Sequence, residues 1–282
     1  MNYRHAFHAG NFADVFKHVV LARILVHLRA KPAAFRVIDT HAGAGLYDLT
    51  GAEASRNPEW REGIARLRAA PLAEPVRDLL TPYLDVVDRL NSAGALTCYP
   101  GSPAIVRAYL RPQDRLIACE LEPNAAAALA RNLDRDRRLK VIPIDGWTAL
   151  NAYVPPPERR GLVLVDPPFE KDDEFARLAR GLEAAHRKWA NGTFMLWYPI
   201  KDRAEPDALA RRLRRSGVPK ILRTEINVAA GRDDNRLTGG GLVVVNPPWT
   251  LESDLATLLP DLAAILSGGG GGYRTDWLTG EG

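Results

Sequence analysis

Asp166-Pro167-Pro168-Phe169 is the tetrapeptide in this 282-residue chain with the most specific chemistry. It ends the apolar run Gly161 to Asp166 (GLVLVD), so a strand should deliver it to the sheet edge. The Asp166 carboxylate and the Pro167 carbonyl form two acceptors suited to the two hydrogens of an amino group on an aromatic ring. Such a nitrogen is a poor nucleophile because its lone pair is delocalised into the ring. Hydrogen bonds to both hydrogens help localise that pair toward an electrophilic carbon. The prolines fix φ and stiffen the turn, so the acceptors are held in place beforehand. Phe169 offers a face on which an extruded base can stack. Asp166 can also accept a proton once the transfer is complete.

A second constellation occupies the ends of other predicted strands. Phe35 to Asp39 (FRVID) runs into Thr40-His41-Ala42-Gly43-Ala44-Gly45. Glycines at such a turn let the backbone approach a ligand. The spacing of a dinucleotide-binding turn fails, because Asp48 stands where its third glycine would be. Glu120 ends Leu116 to Glu120 (LIACE) and suits ribose hydroxyls, while Asp145-Gly146 ends Lys140 to Asp145 (KVIPID), where an adenine amino group would lie. Carboxylates at three strand ends, beside a glycine turn, read as a site for S-adenosylmethionine. A nicotinamide enzyme is a distant alternative. Before the first strand, Tyr3, His5, Phe7, His8, Asn11, Asp14, Lys17 and His18 crowd polar and aromatic groups together. They read as a lid and helix, with Lys17 and His18 toward the cofactor and Tyr3 and His5 toward the substrate. No metal is expected, since no thiolate or tight acidic cluster completes the histidines.

These residues need a framework of short strands alternating with helices, the pattern of a parallel sheet covered on both faces. The fold class expected is α/β: a Rossmann-like class I S-adenosylmethionine-dependent methyltransferase fold. Its sheet should be mostly parallel and seven-stranded, with an antiparallel last strand. Residues 48–97 break the rhythm and are predicted to form a small helical insertion subdomain. Residues 1–47 and 98–282 then make the methyltransferase domain. Asn246-Pro247-Pro248-Trp249 repeats the catalytic pattern after the strand Gly241 to Val245. In this class that strand runs antiparallel and ends away from the cofactor face, so the second motif is assigned to structure. The glycine run Gly268 to Gly272 reads as a flexible turn.

Composition is that of a soluble enzyme, with 46% hydrophobic and 26% charged residues and no apolar run of membrane-spanning length. The N-terminal sequence lacks the apolar core of a signal peptide, so a cytoplasmic protein is expected. Cys98 and Cys119 read as reduced thiols. A net charge of +4 permits a polyanionic partner without demanding one. The basic clusters Arg135, Arg137, Arg138, Lys140 and Arg211, Arg212, Arg214, Arg215 read first as solvated faces. The loop Arg232 to Arg236 is the more interesting candidate for nucleic acid. A monomer is expected.

Several blocks together carry a family resemblance: YRHAFHAGNFADVFKH, DTHAGAG, YPGSP (99–103), CELEP (119–123), DG (145–146), RRGLVLVDPPFE, LWYP (196–199) and GLVVVNPPW. They span nearly the whole chain, which resembles the RlmJ family of 23S ribosomal RNA adenine-N6 methyltransferases. The resemblance implies cofactor contacts at His18, His41, Ser102, Glu120, Asp145, Gly146 and Asp166. It also implies catalysis by Asp166 and an RNA contact at Tyr3. Many family members end the catalytic motif in Tyr; Phe169 keeps the stacking face but not the hydroxyl. The competing readings are a DNA adenine or protein glutamine methyltransferase, and a non-catalytic cofactor-binding assembly factor.

Overall fold

A 3-10 turn at His5–Phe7 leads into α1 (Phe12–Ala30) and then β1 (Arg36–Asp39) in the computed structural model, which describes residues 4–228 and 237–280. The short strands β2 (Leu46–Asp48) and β3 (Cys98–Pro100) pair with each other and bracket α2 (Ala52–Arg56), α3 (Ile64–Ala69) and α4 (Glu74–Leu90). Next come α5 (Ser102–Tyr109), β4 (Arg115–Cys119), α6 (Pro123–Asn132), β5 (Leu139–Ile142), α7 (Gly146–Ala152) and β6 (Gly161–Val165). The chain continues through α8 (Glu174–Lys188), β7 (Thr193–Ile200), α9 (Ala204–Arg214) and β8 (Ile221–Asn227). It ends with β9 (Gly239–Val245), α10 (Leu251–Ser267) and β10 (Gly272–Thr279). Tyr3 and the loop Arg232 to Arg236 lie outside the described residues. Among the described residues, no helix is long and apolar enough to cross a membrane.

The main sheet has the order β10-β8-β9-β7-β6-β1-β4-β5. From β5 to β7 every neighbouring pair is parallel, whereas β9 runs antiparallel between β7 and β8. This is the expected mostly parallel α/β sheet, with one correction: it has eight strands, not seven. The eighth, β10, lies antiparallel along the outer edge of β8. Its approach is the glycine run that reads as a flexible turn. Gly268 takes the left-handed conformation (φ 75°) that closes α10, and Gly272 opens the strand.

A buried ion network fastens β10. Arg223 on β8 is 1% exposed, and its guanidinium donates twice to Asp276 of β10, at 2.8 and 2.9 Å. Glu225, also buried, accepts from Tyr198 Oη (2.8 Å) and Arg203 (2.8 Å).

On the opposite side of the sheet, α1 is buried on almost every face: Val15, Phe16, Val20, Leu21, Ile24 and Leu25 are inaccessible to solvent. A helix apolar all round must be enclosed. Ile64 and Leu67 of α3, Val76, Leu80, Tyr83 and Val87 of α4, and the apolar face of α10 share one continuous core with it. The helices between β2 and β3 therefore cover α1.

Arg223→Met should destabilise the protein by about 1–2 kcal/mol in chemical unfolding, because it removes two hydrogen bonds between β8 and the half-buried Asp276 of β10. An unchanged midpoint would mean that the network does not hold the edge strand.

Candidate active site

Strand order arranges the acids. The carboxyl ends of β5, β4, β1 and β6 lie side by side, and each is followed or closed by an acidic residue: Asp145, Glu120, Asp39 and Asp166. Strand spacing puts the outermost two roughly 14 Å apart, a row long enough for an extended small molecule. Asp39 was not among the residues singled out by sequence, although it ends the strand that feeds the glycine turn.

The glycine turn has little room to spare. Gly43 (φ 58°) and Gly45 (φ 75°) are both left-handed; a Cβ on Gly43 would lie 2.1 Å from Tyr47 Oη, and one on Gly45 would lie 2.8 Å from Leu129. Glu120 braces this turn by accepting from Gly43 N (2.8 Å) and Glu122 N (2.8 Å). Asp145 caps α7 by accepting from Thr148 N at 2.9 Å. A Cβ on Gly146 would sit 2.4 Å from the Thr40 carbonyl and 2.6 Å from the His41 ring, so only glycine fits there. His41 Nδ1 meets Thr40 Oγ1 at 2.8 Å, and burial pushes its pKa down to about 4, which leaves the ring neutral. Trp147 stands edge-on to His41 at 5.7 Å, and Arg177 lies over the Trp147 ring at 5.0 Å.

Ser102 reaches the row from the start of α5, donating to Asp39 Oδ2 at 2.7 Å. Asp39 is inaccessible to solvent, and its Oδ1 is buried without a hydrogen bond. Burial raises its pKa to about 7.

Helix α1 supplies the other half of the site. Asn11 caps the helix by accepting from Asp14 N (3.0 Å). Asp14, Lys17 and His18, at spacings of three and four residues, share one helix face. Lys17 Nζ donates to Asp14 Oδ1 (3.0 Å) and to Asp166 Oδ2. Burial alone would lower the lysine pKa, but the two carboxylates raise it, so the ammonium stays charged. His5 Nε2 lies 3.0 Å from Asp14 Oδ2. His18 Nδ1 meets Tyr99 Oη at 2.8 Å, and Tyr99 Oη meets Tyr83 Oη at 3.0 Å. Burial drops the His18 pKa to about 3. Lys17 thus reaches Asp166 directly, whereas His18 is anchored to a buried tyrosine pair. Nothing in the spacing of Tyr83 and Tyr99 signals that pairing; the Asp14–Lys17 pair is a local i,i+3 signal.

At the motif itself, Phe169 is left-handed (φ 50°) and half-buried. Its ring meets Phe175 and Trp197 edge-on at 4.9 and 5.6 Å. Asn246 of the second motif is also left-handed (φ 49°), but it sits at the other end of the sheet, where β7 begins. Its amide donates to the carbonyls of Ala190 and Gly192, both at 2.8 Å. One motif opens toward the carboxylate row, and the other ties two loops together.

The basic clusters are partly consumed within the fold. Arg138 binds Asp136 and the Leu110 carbonyl, Arg212 pairs with Glu183, and Arg214 pairs with Asp276.

Comparison with known proteins gives a consistent result. A family profile described as "Ribosomal RNA large subunit methyltransferase D, RlmJ" matches residues 32–279. The chain is 38% identical to "Ribosomal RNA large subunit methyltransferase J" of Haemophilus influenzae and 39% identical to the Escherichia coli protein of the same description, over all of both chains in each case. A crystal structure of a Legionella pneumophila protein superposes with a TM-score of 0.86 at 33% identity, covering 95% of this chain and 98% of that one.

Two outcomes follow from the geometry. With its folded pKa raised above the ordinary carboxylate value, Asp39 contributes stability that is complete below about pH 4 and lost as pH rises through about 7. Asp39→Asn, fixed in the neutral form, should gain on wild type across that window by on the order of 2–4 kcal/mol, read from unfolding curves at several pH values. A constant difference would exclude Asp39 as the titrating group. Asn246→Ala should cost about 1–2 kcal/mol of stability while leaving turnover per folded molecule intact. Selective loss of turnover in a stable variant would exchange the roles of the two motifs.

Proposed function

The chain belongs to the RlmJ family of large-subunit ribosomal RNA methyltransferases, and on that premise we propose that it methylates the N6 amino nitrogen of one adenine in 23S ribosomal RNA, using S-adenosylmethionine. The observation that carries this reading is the carboxylate row ending at Asp166, which is met from α1 by a buried lysine. S-adenosylmethionine, when bound, supplies a methyl group on a positively charged sulfur. The chain's own residues suit it: Asp39, in the middle of the row, keeps a buried oxygen without a hydrogen bond. Glu120 and Asp145 are carboxylates in the row. The holding residues in this reading are Lys17, His18, His41, Gly43, Gly45, Ser102, Glu120, Asp145, Gly146 and Asp166.

The Asp166 carboxylate and the Pro167 carbonyl accept the two amino hydrogens, which localises the nitrogen lone pair for attack. Lys17 fixes the direction of the carboxylate. Phe169, half-buried and steadied by Phe175 and Trp197, is the aromatic ring on which the extruded base stacks. Asp166 then takes the proton released after transfer. Tyr3 and His5 contact the RNA from the N-terminal segment, and the protein works as a cytoplasmic monomer.

Labelled methyl from S-adenosylmethionine, offered to unmodified 23S RNA, duplex DNA and total protein in parallel, should appear as N6-methyladenine in the RNA alone. Label in DNA or protein would discard the RNA substrate, and label in none of them would discard the enzyme. Asp166→Ala should lower the transfer rate by about 100- to 1000-fold without unfolding the protein. Full activity in that variant would remove the mechanism.

A further inference from the structure

The mechanism above gives no task to Asp14, although this is one of the most enclosed charges in the molecule, at 1% exposure. Its carboxylate makes three contacts. Oδ2 accepts from Gly10 N (2.9 Å) and lies 3.0 Å from His5 Nε2, while Oδ1 accepts from Lys17 Nζ (3.0 Å). An acid in the first turn of a helix is usually explained by the helix dipole or by capping. Here the cap is supplied by Asn11, whose side chain accepts from the Asp14 backbone N–H. A carboxylate is also costly to strip of water, so its retention in a buried position needs a compensating partner. That partner is Lys17, which bridges Asp14 and Asp166. Burial alone would raise the Asp14 carboxyl, but its contacts with His5 and the Lys17 ammonium hold it well below the usual range, so its anionic form is the one that persists.

The arrangement sets how strongly Lys17 binds Asp166. An ammonium has three hydrogens and one charge. Shared between the buried Asp14 and the partly exposed Asp166, it steadies each without saturating either. With Asp14 uncharged, the lysine would have Asp166 as its only anionic partner of the two and would draw that carboxylate toward α1. The oxygens needed by an incoming amino group would then be both displaced and weakened as acceptors.

We propose that Asp14 is a positioning residue for methyl transfer, holding the Lys17 ammonium between two carboxylates so that Asp166 remains free to accept hydrogen bonds from the substrate amino group. This inference rests on the reading of Asp166 as the acceptor.

The test is single-turnover methyl transfer to 23S RNA by wild type, Asp14→Asn, Lys17→Met and the double variant, with Kd measured for RNA and for S-adenosylmethionine. Displacement of a reacting group by about 1 Å can cost on the order of 100-fold, so Asp14→Asn should lose about 10- to 100-fold in rate with both Kd values unchanged. In the Lys17→Met background the same substitution should add no further loss, because there is no ammonium left to share. An unchanged rate in folded Asp14→Asn would overturn the proposal. So would a loss accounted for by weaker cofactor binding, or an equal loss in the Lys17→Met background. If Asp14→Asn does not fold, Asp14→Ser carries the test, since it keeps an oxygen for Gly10 N–H in less space. Failure of both to fold while Lys17→Met folds would make Asp14 a scaffold residue and also overturn the proposal. Wild type that transfers nothing to RNA would instead defeat the functional reading before the variants are compared.

Discussion

A lysine ammonium enclosed between two carboxylates is the interaction around which this molecule is organised. Taking the Asp14 and Lys17 charges out of water is expensive, and the expense is offset only where they find opposite charges at hydrogen-bonding distance. Lys17 therefore requires Asp14 and Asp166 at hydrogen-bonding distance, and both require α1 to be fixed against the carboxyl ends of the strands. That requirement explains why α1 is apolar on nearly every face and why α3, α4 and α10 enclose it. The helices inserted between β2 and β3 thus belong to the site indirectly. They make the surroundings of Lys17 dry, and dryness strengthens the ion pair they cover.

The two proline motifs show how far local sequence determines chemistry. Both follow an apolar strand, and both place a residue in the left-handed region. Strand direction separates them. Asp166 leaves β6 among the other parallel carboxyl ends, whereas β9 runs the opposite way and delivers Asn246 to the far end of the sheet. There its side-chain NH2 donates twice, joining the segment before β7 to the end of β9. The same tetrapeptide pattern, turned end for end, becomes a fastening.

Much of this was legible in the chain because strand ends are local features. The apolar runs before Asp39, Glu120, Asp145 and Asp166, and the glycine turn, could all be read from a few neighbouring residues. Other parts depend on long-range contacts that no short window contains. Asp14 is an ordinary first-turn acid until Asp166 is folded against it. His18 finds its partner in Tyr99, itself bonded to Tyr83, far along the chain. Arg138 and Arg212 look available for a polyanion, but folding supplies each with an internal carboxylate. The eighth strand was missed because it alternates exposed aromatic and charged residues after a glycine run. What fixes it is Arg223, a buried cation on a neighbouring strand.

The position of β1 also bears on how the chain reaches this state. It is the first strand made and among the most central, yet Arg36 pairs with Arg115 on one side and Gly161 on the other. Neither ladder can form until long stretches of later sequence exist, and such non-local pairings close slowly. Helix α1, with its large apolar surface, precedes β1 and would face the same wait. After β1 the chain runs through β2 into α2, α3 and α4, and α4 packs on α1 and shares its core. In order of synthesis, α1 therefore has a hydrophobic partner before its strand has a neighbour. The segment that shields the lysine in the finished protein is also the earliest available cover for the apolar surface of α1 during folding.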